Sequence, residues 1–346
     1  MTKTPKKKVQ GKTIFNFFIL LLSAGLVIYF CLSEDGLLDL AHHVTNFQQI
    51  WLVLAVLCMF ADLALDTVLI YLFTRNAENQ YSMRHAFKTC MVGHLYSAVT
   101  PFQSGGQPMQ IYIMSKQGID PGISTSAMVQ KFFVYQSGLT LYSAFAIVFR
   151  FRFFSGTLND VMWGLALAGF AVQAFVLVMI LLVSFNQNMT QRIVLFFCKL
   201  FHKLHFVKDY EATSAAWQKQ LVFFHDSNKV LYTNKKLLIK TYIITFFQLT
   251  ALFVVSYCIY RAFNIGTASA VDMICAQAFV TMVSSLVPLP GAAGASEGSF
   301  YVFFSMFFTG GTIKSAILLW RIVTYYAVIL VSAPFSRITK KMQEAK

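Results

Sequence analysis

Apolar runs long enough to cross a bilayer recur through most of the chain, with short polar segments between them. A membrane-spanning α-helix needs roughly 20 mainly apolar residues. By this measure the sequence predicts full spans at about 14–32, 50–73, 124–149, 161–185, 238–262 and 312–335. The pattern therefore predicts an all-α polytopic membrane protein with about six full transmembrane helices.

Two short breaks interrupt the apolar pattern, and they resemble each other. The first break, residues 100–108, reads TPFQSGGQP, and the second break, residues 288–298, reads PLPGAAGASEG. The flanking apolar segments are 86–99 and 107–117 for the first break, and 271–287 and 297–308 for the second. Irregular backbone at membrane depth survives only where protein or a wet cavity satisfies its polar groups. Each pair of short segments therefore predicts a re-entrant helical hairpin, and paired broken helices are typical of transport sites.

Composition and charge agree with a membrane location. The chain is 57% hydrophobic and 12% charged, with a formal net charge of +14. Basic residues concentrate in 1–13, 186–240 and 337–346, whereas 33–49 holds acids and no Lys or Arg. The positive-inside rule then places both termini and the 186–237 loop in the cytoplasm. Because these basic runs flank spans, we expect them to serve topology and lipid contact rather than nucleic-acid binding.

This topology makes the two hairpins enter the membrane from opposite sides. The first hairpin enters from the cytoplasm and the second from outside, which is the arrangement of an inverted repeat. Arg150 and Arg152 fall on the outer side and are the weak point of the scheme.

The remaining segments predict no separate soluble domain. A cleaved signal peptide would also combine a basic start with an apolar run such as 14–32. That run is long enough to span, and no small-x-small cleavage site follows it, so we interpret it as an uncleaved first helix. Residues 209–232 predict an amphipathic helix on the cytoplasmic surface, against lipid or the end of the bundle. We therefore expect residues 1–346 to form a single integral membrane domain, family-like over 10–340.

The sequence offers no catalytic constellation. The six cysteines lie in apolar surroundings without a Cys-x-x-Cys pair, and the seven histidines form no His-Glu-x-x-His motif. Neither a Walker loop nor a dinucleotide-binding fingerprint occurs. We therefore expect no catalytic residues, no metal site and no cofactor.

The two breaks supply groups that can bind an anion. Helix starts present free N–H groups and a partial positive charge, which attract phosphate or carboxylate. Pro108 suits the first turn of the helix that leaves the first break, and Ser296 is a good N-cap for the helix that leaves the second. Glycines let a headgroup approach the backbone closely. These are Gly105, Gly106, Gly291 and Gly294. Ordinary Gly/Pro loops between helices are the alternative explanation.

Charged residues fall within the predicted membrane segments. They are Asp62, Asp66, Lys131, Glu297 and Arg321. Charges at bilayer depth are costly and usually face a cavity or each other. Lys131 and Arg321 can bind phosphate, while the acids, two of them on one helix face, balance a cationic portion or the basic residues. Internal ion pairs are the alternative to direct contact with a ligand.

Polar side chains near the breaks complete the predicted site, although helix–helix contacts explain them equally well. The predicted headgroup-binding residues are Gly105, Gly106, Gln107, Gln110, Lys131, Gly291, Gly294, Ser296, Glu297 and Arg321, with Asp62 and Asp66 as intramembrane charges.

Several stretches resemble the lysylphosphatidylglycerol synthase/flippase membrane domain family. They are 93–101 (GHLYSAVTP), 105–110 (GGQPMQ), 290–298 (PGAAGASEG), and the pairs Trp320-Arg321 and Tyr325-Tyr326. In bifunctional members the membrane domain moves lysylphosphatidylglycerol outward, and a C-terminal cytoplasmic domain makes that lipid from lysyl-tRNA. The resemblance implies the first activity here. It gives no support to the second, because the sequence ends shortly after its last predicted span.

Two departures from the family pattern concern the cargo. Many relatives have Glu-Pro where this chain has Gln107-Pro108, and Arg where it has Gln110. A site without that charge pair would favour another headgroup.

The sequence thus predicts a lipid translocase of a bacterial plasma membrane. Its partner would be a membrane lipid with an anionic or zwitterionic headgroup, with lysylphosphatidylglycerol as one candidate. One alternative is a lysyl- or glycosyl-transferase acting on membrane lipid, which predicts a donor site that the sequence does not offer. Another is a non-transporting partner of a separate lipid or envelope synthase. Homo-oligomers are compatible with each of these hypotheses.

Overall fold

The computed structural model describes residues 47–157, 160–185, 187–203, 214, 218, 234–308 and 311–336. The predicted first span at 14–32, both termini, and all of 209–232 except two residues lie outside the described residues. The single-domain prediction for 1–346 stays a prediction.

The described residues form helices, short helical turns and loops, and no strand. In chain order the helices are α1 (Gln49–Arg75), α2 (Met83–Ala98), α3 (Gly106–Lys116), α4 (Pro121–Phe149), α5 (Phe151–Thr157), α6 (Asp160–Phe185), α7 (Gln187–Lys203), α8 (Lys235–Ala262), α9 (Ala270–Ser284), α10 (Ala295–Phe304), α11 (Thr312–Arg321) and α12 (Ala327–Ser332). Short 3₁₀ turns occupy Pro101–Gln103, Pro290–Ala292 and Ala333–Ser336.

Five helical segments in this part of the chain are long and apolar enough to span a membrane. They are α1, α4, α6 over Asp160–Leu182, α8, and the last span, Thr312–Ser336, which runs from α11 through a π-helical turn at Ile322–Tyr326 into α12. They confirm the all-α polytopic fold and match the predicted spans between 50 and 335. Of the five, α6 is the least covered by protein, as expected of a helix that faces lipid.

Local sequence signals set where the helices begin. Ser82 accepts a hydrogen bond from the His85 N–H at the start of α2. Asp120 accepts one from the Gly122 N–H at the start of α4, where Pro121 occupies the first helical position. Asn234 caps α8 in the same way. These caps satisfy backbone donors that a helix start leaves unpaired.

Helices α1 and α8 pack antiparallel along their whole length. At one end, the Gln48 N–H donates to the Ala262 carbonyl at 3.0 Å, and the Phe47 and Phe263 rings contact each other. At the other end, the Asn234 side chain donates to Asn76 at 3.4 Å. We name these ends the Gln49 side and the Arg75 side of the bundle.

The two halves of the described chain repeat one another with opposite orientation. In each half a span (α1 or α8) precedes a broken hairpin (α2–α3 or α9–α10), and a second span follows (α4 or the last span). The first hairpin begins and ends on the Arg75 side, where Gln117 after α3 donates to the His85 carbonyl near the start of α2. The second ends on the Gln49 side, where Phe308 packs against Tyr260 and Phe263. This is the predicted pair of hairpins in an inverted repeat.

Aromatic rings fill the core around the second hairpin. Phe279 of α9 contacts Phe303 of α10 and Phe154 of α5. Phe300 stacks on Phe304 and contacts Trp320 of the last span. This packing holds the second hairpin firmly against its neighbours.

Helix α7 is an amphipathic helix within the predicted 186–237 cytoplasmic loop. Thr190 and Cys198 are buried, whereas Arg192 and Lys199 are exposed. The sequence analysis placed its amphipathic helix later, at 209–232, and missed this one.

Candidate functional site

The two breaks adopt the same backbone conformation over four residues. In the first break, extended Thr100 precedes Pro101, and Phe102 and Gln103 follow with φ of 52° and 55°. In the second, extended Leu289 precedes Pro290, followed by two residues with φ of 59° and 49°. A left-handed conformation costs energy in a residue other than glycine and is often found at functional sites.

The hydrogen bonds of the two turns also correspond. The N–H of Gln103 donates to the Thr100 carbonyl at 3.1 Å, and the N–H of Ala292 donates to the Leu289 carbonyl at 2.9 Å. One residue further on, the N–H groups of Ser104 and Ala293 donate to the carbonyls of Pro101 and Pro290. The similarity of the two breaks in sequence is therefore a similarity in structure.

The two breaks meet halfway along the last span. Their 3₁₀ turns contact each other. Between them, Tyr325 donates its hydroxyl hydrogen to the Ala98 carbonyl at the end of α2, at 3.0 Å. A Cβ added to Gly291 would overlap the Tyr325 ring, so the second break lies directly against the same side chain. Tyr325 lies near the middle of Thr312–Ser336, a segment long and apolar enough to span a membrane, so the hairpins meet about halfway along that span.

The breaks differ in how far protein covers them. Residues 101–104 of the first break are exposed, and the Phe102 side chain is 61% exposed. Residues 290–293 of the second break are buried. The first break is thus the more accessible of the two, and in the second break Pro288 and Gly294 are the exposed residues.

Glu297 and Arg321 form a buried ion pair that holds the second break in place. Arg321 Nε lies 2.6 Å from Glu297 Oε1, and a terminal guanidinium nitrogen donates to the Gly291 carbonyl at 3.0 Å. The other carboxylate oxygen, Oε2, accepts from the Gly294 N–H at 2.7 Å. The guanidinium also lies 5.2 Å from the ring centroids of Trp320 and Tyr325. These charge-assisted bonds engage both carboxylate oxygens.

Ser296 does not cap the helix that leaves the second break, so that prediction was wrong. Helix α10 begins at Ala295 with Gly294 as its N-cap, and the Glu297 side chain takes the capping role. The Ser296 hydroxyl instead donates to the Gly291 carbonyl at 3.4 Å. Residues 294–298 also match Gly-x-Ser-x-Gly, a pattern that the sequence analysis overlooked. It marks a nucleophile only on a strand-to-helix turn, whereas a 3₁₀ turn precedes Ser296 here.

Small residues bring the two helices of the first hairpin together. A Cβ on Gly93 would overlap the buried Gln110 side chain, and one on Gly106 would overlap the Ser97 hydroxyl. Thr100 Oγ1 accepts from the Gly105 N–H at 2.8 Å. Gln110 is therefore a packing residue between α2 and α3. Gln107, at the second position of α3, is only half-buried.

A second buried polar cluster joins α1, α2, α4 and α8, and we call it the Asp66 cluster. Lys131 Nζ lies 2.6 and 2.8 Å from the two oxygens of Asp66. Cys90 and Gln248 also donate to this carboxylate, at 3.3 and 3.4 Å. His94 Nε2 lies 3.3 Å from Asp66 Oδ2, at an angle that does not make a hydrogen bond. Asp62, one helical turn before Asp66, is buried beside them and completes the cluster.

The Asp66 cluster is an ion-pair network. Asp66, Cys90 and His94 place donor atoms within 4.8 Å of one another, a spacing that a metal ion could use. The Lys131 ammonium already holds both oxygens of Asp66, which a cation would need. The positive charge of this cluster is therefore supplied by the protein.

Each half of the repeat thus carries a cation that is mostly covered by protein, at a similar place in its second span. Lys131 in α4 pairs with Asp66, and Arg321 in the last span pairs with Glu297. A third pair joins Arg150 to Asp272 at 2.9 Å on the Gln49 side. This pair offsets one of the two arginines that were the weak point of the predicted topology.

A small cavity of about 100 Å³ opens near the Arg75 side of α1 and α4. Phe73, Asn76, Ser126 and Gln130 are among its lining residues. Its volume suits a few water molecules and is too small for a lipid headgroup.

The predicted site residues fall into three groups in the structure. Gly291, Gly294, Ser296, Glu297 and Arg321 form one contiguous group at the second break. Gly105, Gly106, Gln107 and Gln110 belong to the first hairpin. Lys131 joins Asp62 and Asp66 in the Asp66 cluster. The sequence analysis missed His94, Cys90 and Gln248 as cluster members. The only signal for the first two was their four-residue spacing on one helix.

The fold and the site define a polytopic α-helical membrane protein with two inverted halves and broken hairpins that meet at mid-depth. The family model described as "Lysylphosphatidylglycerol synthase TM region" matches residues 16–332, and the chain belongs to this family. It is also similar to a UPF0104 membrane protein of Archaeoglobus fulgidus. The two are 23% identical over 255 residues, which cover 73% of this chain and 75% of the relative.

Proposed function

We propose that the protein is a lipid translocase that moves a phospholipid or related headgroup across a bacterial plasma membrane while the acyl chains stay in lipid. The single observation that carries this proposal is the meeting of the two breaks at mid-depth. One hairpin reaches that point from each side of the bundle. A headgroup between them would be within reach of both membrane faces after a small movement of either hairpin.

The headgroup would enter at the first break. Its residues 101–104 are exposed, and α3 starts at Gly106 immediately after it. The first turn of a helix directs unpaired N–H groups and a partial positive charge outward, which suits a phosphate. Gln107 at the second position of α3 would add a neutral hydrogen-bonding side chain.

Lys131 or Arg321 would bind the phosphate by exchanging its carboxylate partner for the phosphate. Lys131 and Arg321 each hold one carboxylate in the structure. A phosphate that approaches either cation competes with that carboxylate, which is then available to a cationic part of the headgroup. Anionic and zwitterionic headgroups, lysylphosphatidylglycerol among them, fit such an exchange.

The distribution of basic residues supports a cytoplasmic location for the Arg75 side. Basic residues on that side include Arg75, Arg84, Lys88, Lys116, Lys235, Lys236 and Lys240. The Gln49 side carries Arg150, Arg152, Arg261 and Lys314, of which Arg150 is paired with Asp272. By the positive-inside rule the Arg75 side is cytoplasmic, and the last span ends on that side, where Phe335 contacts Phe87 of α2. Together with the predicted span at 14–32, this orientation would put both termini in the cytoplasm.

Headgroup accessibility in proteoliposomes tests the proposal. Phosphatidylglycerol, lysylphosphatidylglycerol and a polyprenyl phosphate are each placed in one leaflet, and their arrival in the other is followed with an impermeant reagent. We expect at least one lipid to move faster than in protein-free vesicles. Rates equal to those of protein-free vesicles for every lipid would contradict translocation.

A matched pair of variants tests whether the headgroup binds at the first break. Gln107→Leu removes an amide at the start of α3, and Gln80→Leu makes the same change in an exposed loop between α1 and α2. We expect the first variant to slow transport and the second to leave it unchanged. Equal rates in the two variants would contradict headgroup contact at the first break.

A further inference from the structure

The Asp66 cluster contains one more carboxylate than its fixed positive charge can balance. Asp62 and Asp66 are 4% and 3% exposed, and Lys131 is the one lysine or arginine that pairs with either of them in the described residues. With both carboxylates ionised and His94 neutral, the cluster would carry a net charge of −1 inside the membrane. An unbalanced buried charge costs several kcal/mol, and such groups take up a proton instead.

The contacts of the two carboxylates point to the place of that proton. Gln248 lies within hydrogen-bonding reach of Asp62 and donates through Nε2 to Asp66. Its Oε1 atom is buried and has no donor. Lys131 and this amide hold Asp66, whereas no lysine or arginine of the described residues pairs with Asp62. Asp62 is therefore the carboxylate on which the balancing proton would sit.

The other titratable groups around Asp62 come from each packed element. They are Asp66 on α1, Cys90 and His94 on α2, Lys131 and Tyr135 on α4, and Tyr325 and Tyr326 in the π-helical turn that touches α1. Asp66 is held by Lys131, and Tyr325 donates to Ala98 instead. Glu297 and Arg321 neutralise each other. Asp62 and its neighbour His94 are thus the groups left to carry an exchangeable proton.

His94 gives the cluster a route to its surroundings. Its side chain is 27% exposed, while that of Asp66 is 5% exposed. It stands on α2, which leads directly into the exposed first break. A proton or a cationic group can therefore reach the carboxylates from the side on which the headgroup would enter.

We propose that Asp62 is a proton-binding site whose proton leaves when the cationic group of a lipid headgroup takes its place. This inference rests on the proposed function and adds an energy source to it. One proton and one cationic headgroup alternate at the same carboxylate, so they cross the membrane in opposite directions. The exchange keeps the cluster neutral in both loaded states, which avoids the cost of an unpaired charge at bilayer depth.

Leaflet distribution under a pH gradient tests the coupling. Proteoliposomes of phosphatidylglycerol contain a trace of an aminolipid, lysylphosphatidylglycerol, and the pH outside is set one unit below that inside. Antiport predicts enrichment of the aminolipid in the outer, acidic-side leaflet, up to about tenfold for one proton per lipid. Reversing the gradient should reverse the enrichment, and labelled phosphatidylglycerol should show none. Protein-free vesicles correct for passive redistribution.

Asp62→Asn and Asp160→Asn make a matched pair of variants. In Asp62→Asn the introduced amide is neutral and nearly the same size as the protonated carboxyl, so the fold should persist, but this side chain cannot exchange a proton. Asp160 is an exposed carboxylate at the start of α6. We expect Asp62→Asn to abolish the enrichment and Asp160→Asn to retain it. Aminolipid transport that is independent of the gradient, or enrichment in the alkaline-side leaflet, would overturn the inference and leave translocation standing.

An infrared titration separates this inference from the proposed function. In phosphatidylglycerol vesicles, the wild-type chain should show a buried carboxylic acid band that Asp160→Asn retains and Asp62→Asn loses. If no lipid is transported but the band behaves in this way, the proposed function fails while the proton site stands. If the band is the same in Asp62→Asn and the wild type, the proton site is wrong.

Discussion

Tyr325 donates its hydroxyl hydrogen to the carbonyl of Ala98, and its ring covers Gly291. A single side chain of the last span thereby touches the end of α2 and the second break. The π-helical turn at Ile322–Tyr326 carries this residue. π-Helical turns are rare and often occur at functional sites. Under the proposed function, Tyr325 would be a contact between the two hairpins as they move.

Tyr325→Phe removes the hydrogen bond to Ala98 and keeps the ring against Gly291. We expect a loss of about 0.5–1.5 kcal/mol in the free energy of unfolding, because the partly buried carbonyl of Ala98 loses its donor. The lipid transport rate should also change, since the tie between the last span and the first hairpin is gone. Thermal unfolding in detergent and the proteoliposome assay measure the two effects. Tyr301→Phe, at an exposed tyrosine of α10, is the control. Identical behaviour of the two variants would contradict a role for the Tyr325 hydroxyl.

Alanine substitutions at three glycines of the second hairpin distinguish the stability cost of backbone strain from that of steric overlap. Gly291 has a φ of 59° and faces the Tyr325 ring, whereas Gly294 has a φ of 81° and open space beside it. Gly298 lies inside α10, also with open space. We expect Gly291→Ala to be the most destabilising, and Gly294→Ala to cost about 1–3 kcal/mol from strain alone. Gly298→Ala should be neutral or stabilising by up to about 1 kcal/mol.

Melting temperatures in detergent rank these three variants. Combining Gly291→Ala with Tyr325→Ala should recover the part of the stability loss that is caused by overlap with the Tyr325 ring. The part that is caused by the positive φ at residue 291 should remain. If Gly291→Ala is no worse than Gly294→Ala, the close contact between the second break and Tyr325 is not present in the protein.

Removing one charge of the Glu297–Arg321 pair should strongly lower the free energy of unfolding. Glu297→Gln leaves a buried guanidinium without its counter-charge, and we expect a loss of about 3–5 kcal/mol. The double variant Glu297→Gln/Arg321→Gln should lose less than the sum of the single losses, because the two residues interact directly. Unfolding of the four proteins in detergent gives the coupling energy.

The Arg150–Asp272 pair, in which the Arg150 side chain is 35% exposed, provides the comparison for that measurement. Asp272→Asn should cost only about 0–1 kcal/mol, because solvent and ions screen a pair near the membrane surface. Equal losses for Glu297→Gln and Asp272→Asn would mean that the Glu297–Arg321 pair is not buried as the structure has it.

The spans and the breaks could be predicted because each depends on local sequence. A bilayer demands a fixed length of apolar helix, so α1, α4, α6, α8 and the last span are visible as apolar runs. Pro101 and Pro290, followed by residues with positive φ, stop a helix wherever they occur. The opposite orientation of the halves followed from counting basic residues in the loops.

The partners of the buried charges could not be predicted, because the sequence does not say which helices touch. Lys131 of α4 pairs with Asp66 of α1, and Arg321 of the last span pairs with Glu297 in the hairpin of the same half. The prediction that Ser296 caps α10 was wrong for a local reason. Gly294 adopts a positive φ and becomes the N-cap, and the Glu297 side chain accepts from its N–H. The clustering of His94, Cys90 and Gln248 around Asp66 depends on contacts between α1, α2 and α8 that no local pattern encodes.

The antiparallel packing of α1 against α8 predicts which ends can be cross-linked. Gln48 contacts Asn264 on the Gln49 side, and Asn76 contacts Asn234 on the Arg75 side. In a chain whose native cysteines are replaced, Gln48→Cys/Asn264→Cys and Asn76→Cys/Asn234→Cys should each be joined by a short bifunctional thiol reagent. Electrophoresis after cleavage of the chain between the two positions measures the yield.

The mismatched pair Gln48→Cys/Asn234→Cys places its thiols at opposite ends of the bundle and should give no cross-link. An impermeant reagent applied to intact cells should reach the Gln48–Asn264 pair, and the Asn76–Asn234 pair should react only after the membrane is opened. This result is expected if the Arg75 side is cytoplasmic, as the positive-inside rule predicts. Cross-linking of the mismatched pair would contradict the inverted repeat. Reaction of both matched pairs from the outside would contradict the spanning topology itself, because α1 would then have its two ends on one face of the membrane.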